Sequence, residues 1–556
     1  MAAYDFQLLI KYLLEQGVAW APDQEIVYRD QVRQTYIEMY NRVLRLASAL
    51  QRLGVKKGTK IGVIEWDSHR YLEMYFGIPG IGAVLHTINP SLAPENLVYT
   101  MMHAEDEVLI FHEDFLPLVE QARARLPSIR KYILITDKAD NADRSGRQHP
   151  KEKPDIKGVD AEYEELLASA APLDELPDMD ENTQATLSYT TGTTGRPKGV
   201  YFTHRQLVLH TLAGLAPAAT IGNYGGMSKH EVYMPLTPMF HVHAWGMPYF
   251  ATLFGLKQVY PGRYQPEMLL RLILGEKVTF SHCVPTILQM IVTAPAVQGM
   301  DMGGWKVTIG GSRLTKGLAL AAKKLNIRLA AGYGMSETCQ VLTIANLKPY
   351  MEKEWDEDKQ LDWAIKTGFP MPFVKLRVVT PDGKEVARDG TETGEIVVRT
   401  PWLTPGYYKD PERTEELWAG GWLHTGDVAN VDEYGYIQIV DRMKDIIKSG
   451  GEWIVSLELE NLLSLHEDVL EAGVIGVPDE KWGERPLAVV VPVEGAAERI
   501  TAESVQEHMQ KYVADGVIAK WAMPEYYVFV EELPKTSVGK IDKKVLRSRY
   551  PAPPTG

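Results

Sequence analysis

Four threonines, three glycines and two cations are packed into Thr190-Thr-Gly-Thr-Thr-Gly-Arg-Pro-Lys-Gly199. Hydroxyls and backbone N–H groups donate to phosphate oxygens, glycine admits close approach of an anion, and a lysine neutralises it. A plain glycine-rich surface hairpin has a similar composition, but the density of hydroxyls and the Pro-Lys-Gly end favour a phosphate cradle. It is not a P-loop, because Lys198 is followed by Gly199 and strand-like residues rather than by Ser or Thr opening a helix. Four further segments carry complementary chemistry. Gly332-Tyr-Gly-Met-Ser-Glu-Thr338 sets an aromatic ring, two hydroxyls and a carboxylate into a glycine turn, and His424-Thr-Gly-Asp427 sets a carboxylate after a glycine. Asp441-Arg-Met-Lys-Asp-Ile-Ile-Lys-Ser-Gly-Gly451 is basic and ends in two glycines, and Pro534-Lys-Thr-Ser-Val-Gly-Lys540 is a lysine-bearing loop. Each is ordinary alone; in this order and spacing they form a strong signal.

The elements that must position these residues are legible from periodicity. Ala185–Tyr189 reads as a strand feeding the threonine-rich loop, and Val200–Thr203 as a strand leaving it. Helical and strand patterns alternate upstream: Tyr36–Leu53 a helix, Lys60–Ile64 a strand, Arg70–Ile78 a helix, Glu107–Phe111 a buried strand. Such alternation predicts α/β layers. Phe6, Leu9, Ile10, Leu13 and Leu14 recur at helical spacing and predict an amphipathic N-terminal helix whose non-basic polar face suits packing on the protein itself. Asp137–Lys157 is polar and charged, the pattern of an exposed, partly disordered insertion, and the acidic stretch Tyr350–Asp362 reads as a surface helix. Beyond about residue 370 short strands alternate with turns such as Pro381-Asp-Gly383, and the segment from Arg442 onward has its own helix and strand alternation.

Composition sets the outer bounds. A chain of 556 residues exceeds one hydrophobic core, so several domains are expected. The formal net charge of −14 argues against general nucleic-acid binding and requires local cations to hold an anionic ligand. Two isolated cysteines, Cys283 and Cys339, provide neither metal spacing nor a disulfide framework and suit a reducing cytoplasm. The longest apolar stretch, Ala244–Leu256, contains Pro248 and is too short to span a bilayer. His241 and His243 lack a third ligand, which argues against a metal site there.

Taken together, these motifs resemble the adenylate-forming superfamily of acyl-CoA synthetases, luciferases and adenylation domains, over about residues 25–548. The resemblance is strongest to bacterial long-chain fatty-acyl-CoA synthetases, through Ala83-Val-Leu-His-Thr-Ile-Asn-Pro90, Met239-Phe-His-Val-His-Ala-Trp245 and Lys448-Ser-Gly-Gly-Glu-Trp-Ile454. It implies a multi-domain α/β fold: a large N-terminal domain (1–441) of layered sheets and helices ending in a small β-barrel at about 365–441, then a mobile α+β C-terminal domain (442–556). It further implies that Thr190, Thr191, Gly192, Thr193, Thr194 and Lys198 hold the β- and γ-phosphates of ATP. Glu337, with Thr194, would coordinate Mg²⁺, a hard cation that prefers carboxylate and phosphate oxygens. Thr338 would bind the α-phosphate, and Tyr333, in the Gly332–Gly334 turn, would stack on adenine. Asp427 would take the ribose hydroxyls with Arg442 beside it, and Lys540 would bridge the substrate carboxylate and the α-phosphate. Lys444 would be the hinge; Lys448, Gly450 and Gly451 would approach coenzyme A, and Trp453 would pack near the nucleotide. His241 and Trp245 would gate the acyl tunnel, lined by Gly310, Gly311 and Ser312. Position 336 is Ser where Thr is commoner in the family, which keeps the hydroxyl.

The reaction implied has two halves: carboxylate and MgATP form acyl-adenylate and pyrophosphate, then the thiol of coenzyme A attacks the acyl carbon and expels AMP. The acid expected is a medium- or long-chain fatty acid; the alternative is a short thioether or aryl acid. An amino-acid adenylation domain would carry Asp after Phe240, where this chain has His241. A non-catalytic paralogue would have lost some of Lys198, Glu337, Asp427, Arg442 and Lys540, all of which are present. The resemblance implies a homodimer formed through the N-terminal domain, and the two isolated cysteines point to the cytoplasm.

Overall fold

The computed structural model describes residues 5–137, 158–190, 196–220, 226–450, 452–536 and 539–553. Two large sheets dominate it. The first has seven strands, in the order 161–162, 131–135, 108–112, 60–64, 84–87, 184–189 and 199–203, parallel until the last pair. Its central strands are near-continuous apolar runs buried on both faces, as parallel sheets require. The strands Gln184–Tyr189 and Gly199–Thr203 are antiparallel and pair Tyr189 with Gly199, so the predicted hairpin around the threonine-rich loop is present. The second sheet has nine strands with a parallel centre that includes Val232–Leu236, Phe280–Cys283, Lys306–Ile309 and Arg328–Met335.

Local signals explain the helices. Helix Tyr36–Arg52 starts at a capping box, in which Thr35 accepts from the Glu38 N–H and Glu38 accepts from the Thr35 N–H, and it buries Met39, Val43, Leu46, Ala47 and Leu50 at three-to-four spacing. Helix His69–Gly77 is capped by Ser68 and buried on every side. Two expectations shift. The N-terminal helix runs Lys11–Trp20, with residues 5–9 outside it; Phe6 stays 56% exposed and stacks on Tyr12 instead of extending the apolar face. The acidic stretch forms two short helices, Pro349–Glu354 and Glu357–Ala364, because Asp356 caps the second by accepting from the Lys359 N–H. Of the polar insertion, only Asp137 is described: it is half-buried and accepts from Arg70 at 2.7 Å, while residues 138–157 lie outside the described residues.

Where a small β-barrel was expected, at about 365–441, the described residues form an antiparallel four-stranded sheet, Lys375–Val379, Gly394–Arg399, Leu423–Val431 and Ile437–Arg442. The chain beyond it builds a five-stranded sheet, including Val469–Asp479 and Gly483–Pro492, under helices Ser456–Leu463 and Ala502–Ala514. That sheet has its own core of Leu459, Leu463, Val474, Val490, Val505 and Met509. Among the described residues no helix is long and apolar enough to cross a membrane.

Candidate active site

Parallel strands place ligands outside their carboxyl ends, and that is where the principal cavity lies. Thr190 follows strand Gln184–Tyr189, Thr237 follows Val232–Leu236, Val284 follows Phe280–Cys283 and Gly310 follows Lys306–Ile309. Thr190, Thr237 and Val284 line a cavity of about 940 Å³ that the C-terminal segment covers from the other side.

The cavity gathers most of the polar residues singled out in the sequence: Thr190, Lys198, Tyr333, Glu337, Asp427, Arg442 and Lys540. Asp427 and Arg442 are cross-strand partners, which places the Arg442 Nε 3.0 Å from Asp427 Oδ1. The Tyr333 hydroxyl donates to Asp427 Oδ2 at 2.7 Å, so one buried carboxylate organises a cation and an aromatic ring. Glu337 accepts from the Tyr407 hydroxyl at 2.7 Å, and the Lys198 ammonium lies 4.3 Å from the centre of the Tyr407 ring. The Thr190 N–H donates to the Lys198 carbonyl at 2.9 Å and closes the neck of the loop.

Lys540 reaches the cavity on a tight turn in which the Thr536 N–H donates to the Lys540 carbonyl at 2.7 Å. The Thr286 hydroxyl donates to the Gly539 carbonyl at 3.0 Å and pins that turn to the N-terminal part. Burial, and then the neighbouring Arg442, pull the Lys540 pKa down to about 8, against the opposing pull of Asp427 and Glu337. Burial, followed by Lys540, holds His241 at about 3, so its imidazole is neutral.

A second cavity, about 80 Å³ and mostly apolar, opens on the far side of Trp245, which lines both. Ala218, Met227, Phe250 and Phe280 are among the residues that line it. Trp245 lies on Gly310, where a Cβ would come within 2.9 Å of the indole and 3.0 Å of the Gly332 carbonyl. The segment carrying Trp245 is a left-handed turn: φ runs from 40° to 77° over Val242–Gly246, a conformation costing non-glycine residues ~1–2 kcal/mol each. Outside contacts hold it there. Met239 donates its N–H to Asp67 at 2.7 Å and accepts from the Tyr75 hydroxyl at 2.5 Å. Burial drives the pKa values of His243 and His282 down to about 3 and of His210 to about 4, which keeps the surroundings of the turn uncharged.

Several expected residues stand elsewhere. Thr338, expected at the α-phosphate, instead turns its hydroxyl into the protein, against the Met335 carbonyl at 3.0 Å and the Gln340 carbonyl at 2.9 Å. Lys448 and Gly450 do not line the cavity; Lys448 is exposed, and the Gly450 N–H donates to the Trp482 carbonyl at 2.7 Å. Lys444, Gly311, Ser312, Gly332 and Gly334 do line it, and Gly310 lines the apolar pocket. Thr191, Gly192, Thr193, Thr194 and Gly451 lie outside the described residues, as does the side chain of Trp453. Sequence reasoning missed Tyr407 and His282. The run Pro405-Gly-Tyr407, a turn ending in an aromatic hydroxyl, resembles the Gly332-Tyr333 segment and carried a readable signal for the first; His282 had none.

The profile described as "AMP-binding enzyme" matches residues 14–408, and "AMP-binding enzyme C-terminal domain" matches residues 458–540. The chain belongs to the AMP-binding enzyme family. A long-chain-fatty-acid–CoA ligase of Thermus thermophilus is 40% identical over 98% of this chain and 96% of its own. A 3-methylmercaptopropionyl-CoA ligase of Ruegeria lacuscaerulensis is 37% identical over 99% and 98% of the two chains. The fold matches the crystal structure of the anthranilate CoA ligase AuaEII in complex with anthranoyl-AMP, with a TM-score of 0.83, 24% identity and 99% of each chain covered. This AMP-binding enzyme is an acyl-CoA synthetase, whose substrates are ATP, coenzyme A and a carboxylic acid.

Proposed function

We propose that the enzyme activates medium- to long-chain fatty acids, with the acyl chain threaded past Trp245 into the apolar pocket. The observation that carries this reading is the pocket itself: it adjoins the polar cavity at Trp245, and Ala218, Met227, Phe250 and Phe280 are among the residues that line it. In the first half-reaction a carboxylate oxygen attacks the α-phosphorus and pyrophosphate leaves. Thr190 and Lys198 serve the departing pyrophosphate, together with Thr191, Gly192, Thr193 and Thr194. Tyr333 stacks on adenine, and Asp427 with Arg442 holds the ribose. Lys540, as an ammonium ion, stabilises the negative charge shared by the attacking carboxylate and the phosphoryl oxygens. Thr338 is assigned to the α-phosphate, which requires its hydroxyl to turn toward the cavity.

Glu337 fits a Mg²⁺ ion, since it sets a carboxylate at the cavity wall with Tyr407 holding one oxygen, and this hard donor complements phosphate oxygens. Bound there, the ion would neutralise phosphate charge. In the second half-reaction the thiol of coenzyme A attacks the acyl carbon, the C–O bond to AMP breaks, and the thiol proton leaves with solvent. Rotation of the domain beyond residue 441 about Lys444 would exchange Lys540 for Lys448, Gly450 and Gly451, with Trp453 packing near the nucleotide. The separate cores and the separate family matches of the two parts support that division. Trp245 and His241 act as the gate, against Gly310, Gly311 and Ser312.

One observation supports a shorter acid: the pocket measures only about 80 Å³, and a thioether acid is the substrate named for the Ruegeria relative. Pyrophosphate release measured over acids from acetate to palmitate, with aryl and thioether acids, separates the readings. Turnover confined to aryl acids would sink the fatty-acid assignment. The enzyme is further proposed to be a cytoplasmic homodimer; both cysteines are unpaired and buried, which supports a reducing compartment, and sedimentation as a monomer at micromolar concentration would contradict the dimer.

A further inference from the structure

Lys540 stands on the C-terminal unit, whose sheet and core are its own. Its place in the cavity is therefore decided by how that unit docks on the rest of the chain. Besides the Thr286–Gly539 bond, a second docking point lies where helix Lys316–Lys324 meets helix Ser456–Leu463, with Thr315, Leu318 and Ser464 on the cavity wall and Gly317 and Asn461 behind it. The first turn of any helix leaves N–H groups without an intrahelical acceptor. Here the Thr315 hydroxyl accepts from the Leu318 N–H at 3.4 Å, and Asn461 of the C-terminal unit accepts from the Lys316 N–H at 2.9 Å. One helix is thus capped in part by a side chain from the other unit. Beside it, a Cβ at Gly317 would lie 2.2 Å from the Ser464 carbonyl oxygen and 3.0 Å from its carbon, both backbone atoms.

Gly317 is not required by its own backbone conformation. It lies in the first turn of a regular helix, outside the residues with positive φ, where glycine is less favourable than alanine by as much as about 1 kcal/mol. The residue that helix formation disfavours is the one that lets the carbonyl of Ser464, at the carboxyl end of its helix, approach an amino-terminal turn. That arrangement sets the negative end of one helix dipole against the positive end of another.

We propose that Gly317 and Asn461 are positioning residues of the first half-reaction: they hold the docked state that presents Lys540 to the cavity, and they touch no reacting atom. This rests on the role given to Lys540 above. The test uses full-length enzyme and two assays, pyrophosphate exchange for adenylate formation and coenzyme A thiolysis of supplied acyl-adenylate. Gly317→Ala is expected to lower exchange by between about 5- and 150-fold, the span of overpacking costs, in kcat more than in the KM for ATP. Thiolysis by the same variant should be undiminished. Asn461→Ala should lower exchange by less, and Asn461→Asp should restore it, because Asp caps as well as Asn. Parallel loss of both half-reactions in Gly317→Ala, with an unchanged thermal midpoint, overturns the proposal, as does unchanged exchange. If Gly317→Ala lowers the midpoint, the Asn461→Ala and Asn461→Asp pair decides: no loss, or loss without rescue, also overturns it. Lys540→Ala run alongside separates the failures, since retained exchange there refutes the role of Lys540 itself rather than the clamp.

Discussion

The polar cavity and the apolar pocket meet at Trp245, yet they draw on the chain in different ways. The cavity is assembled from short, contiguous motifs, each delivering one or two charged or hydroxyl groups at the end of a strand or on a tight turn. The pocket shares Trp245, Gly311, Tyr333 and the glycines beside it with the cavity, but takes the rest of its wall mainly from scattered positions, among them Ala218, Met227, Phe250 and Phe280, which belong to no motif. Phosphate chemistry demands particular groups at particular distances, so residue type is constrained. An apolar wall demands only volume and shape, which many residue combinations satisfy. The comparison teaches that the reaction and the substrate are encoded by different kinds of information within one site.

The largest expected effect falls on the polar side. Lys540→Ala should lower adenylate formation by roughly 10²–10³-fold, as loss of a transition-state donor does, while thiolysis of supplied acyl-adenylate persists; equal loss of both half-reactions would erase the distinction drawn between them. Next comes Asp427→Ala, which removes the partner of both Arg442 and Tyr333. Hydrogen bonds to charged groups are worth ~1.5–3 kcal/mol, so kcat/KM for ATP should drop by roughly 10- to 150-fold with the preference among acids unaltered. On the apolar side, Trp245→Ala should change the ratio of kcat/KM values for palmitate and butyrate by about tenfold, a step of ~1.4 kcal/mol, with little change in the KM for ATP. A variant that weakens ATP binding and leaves acid preference intact would show that Trp245 belongs to the polar cavity alone.

The smallest effect is graded with pH. Lys540 titrates at about 8 in the free enzyme because burial disfavours its ammonium form. In the proposed mechanism the cation is the active form, so kcat/KM for adenylation should fall as pH rises through about 8, by at most about tenfold per pH unit. In kcat that limb should move to higher pH, since bound phosphates favour the charged lysine. Lys540→Ala should abolish the limb at its reduced rate; persistence of the limb would assign it to another group.

Much of the scaffold was legible. Lys60–Ile64 is a strand as read, Tyr36–Leu53 a helix to within one residue, and the hairpin around Thr190–Gly199 lies where alternation placed it. The misreadings share a cause. The apolar spacing from Phe6 suggested a helix before Lys11, and tertiary packing, which leaves Phe6 outside, overrode it. One acidic helix was expected where the Asp356 cap divides the stretch in two. The left-handed turn at Val242–Trp245 was invisible, because no local preference favours it and only contacts such as Asp67 to Met239 hold it in place.

The sequence on its own established the class of chemistry: hydroxyl, glycine, carboxylate and lysine residues, each ordinary alone, stand in an order and spacing that together resemble the adenylate-forming enzymes. The tertiary structure alone decided where they meet and what stands beside them. It turned the Thr338 hydroxyl inward, set Trp245 on Gly310 between the two cavities, and packed Gly317 against the Ser464 carbonyl of the unit that carries Lys540. Charge and hydrogen-bonding capacity reside in single residues and can be read one position at a time. Shape, close approach and docking are relations between distant segments, and only the packed chain sets them.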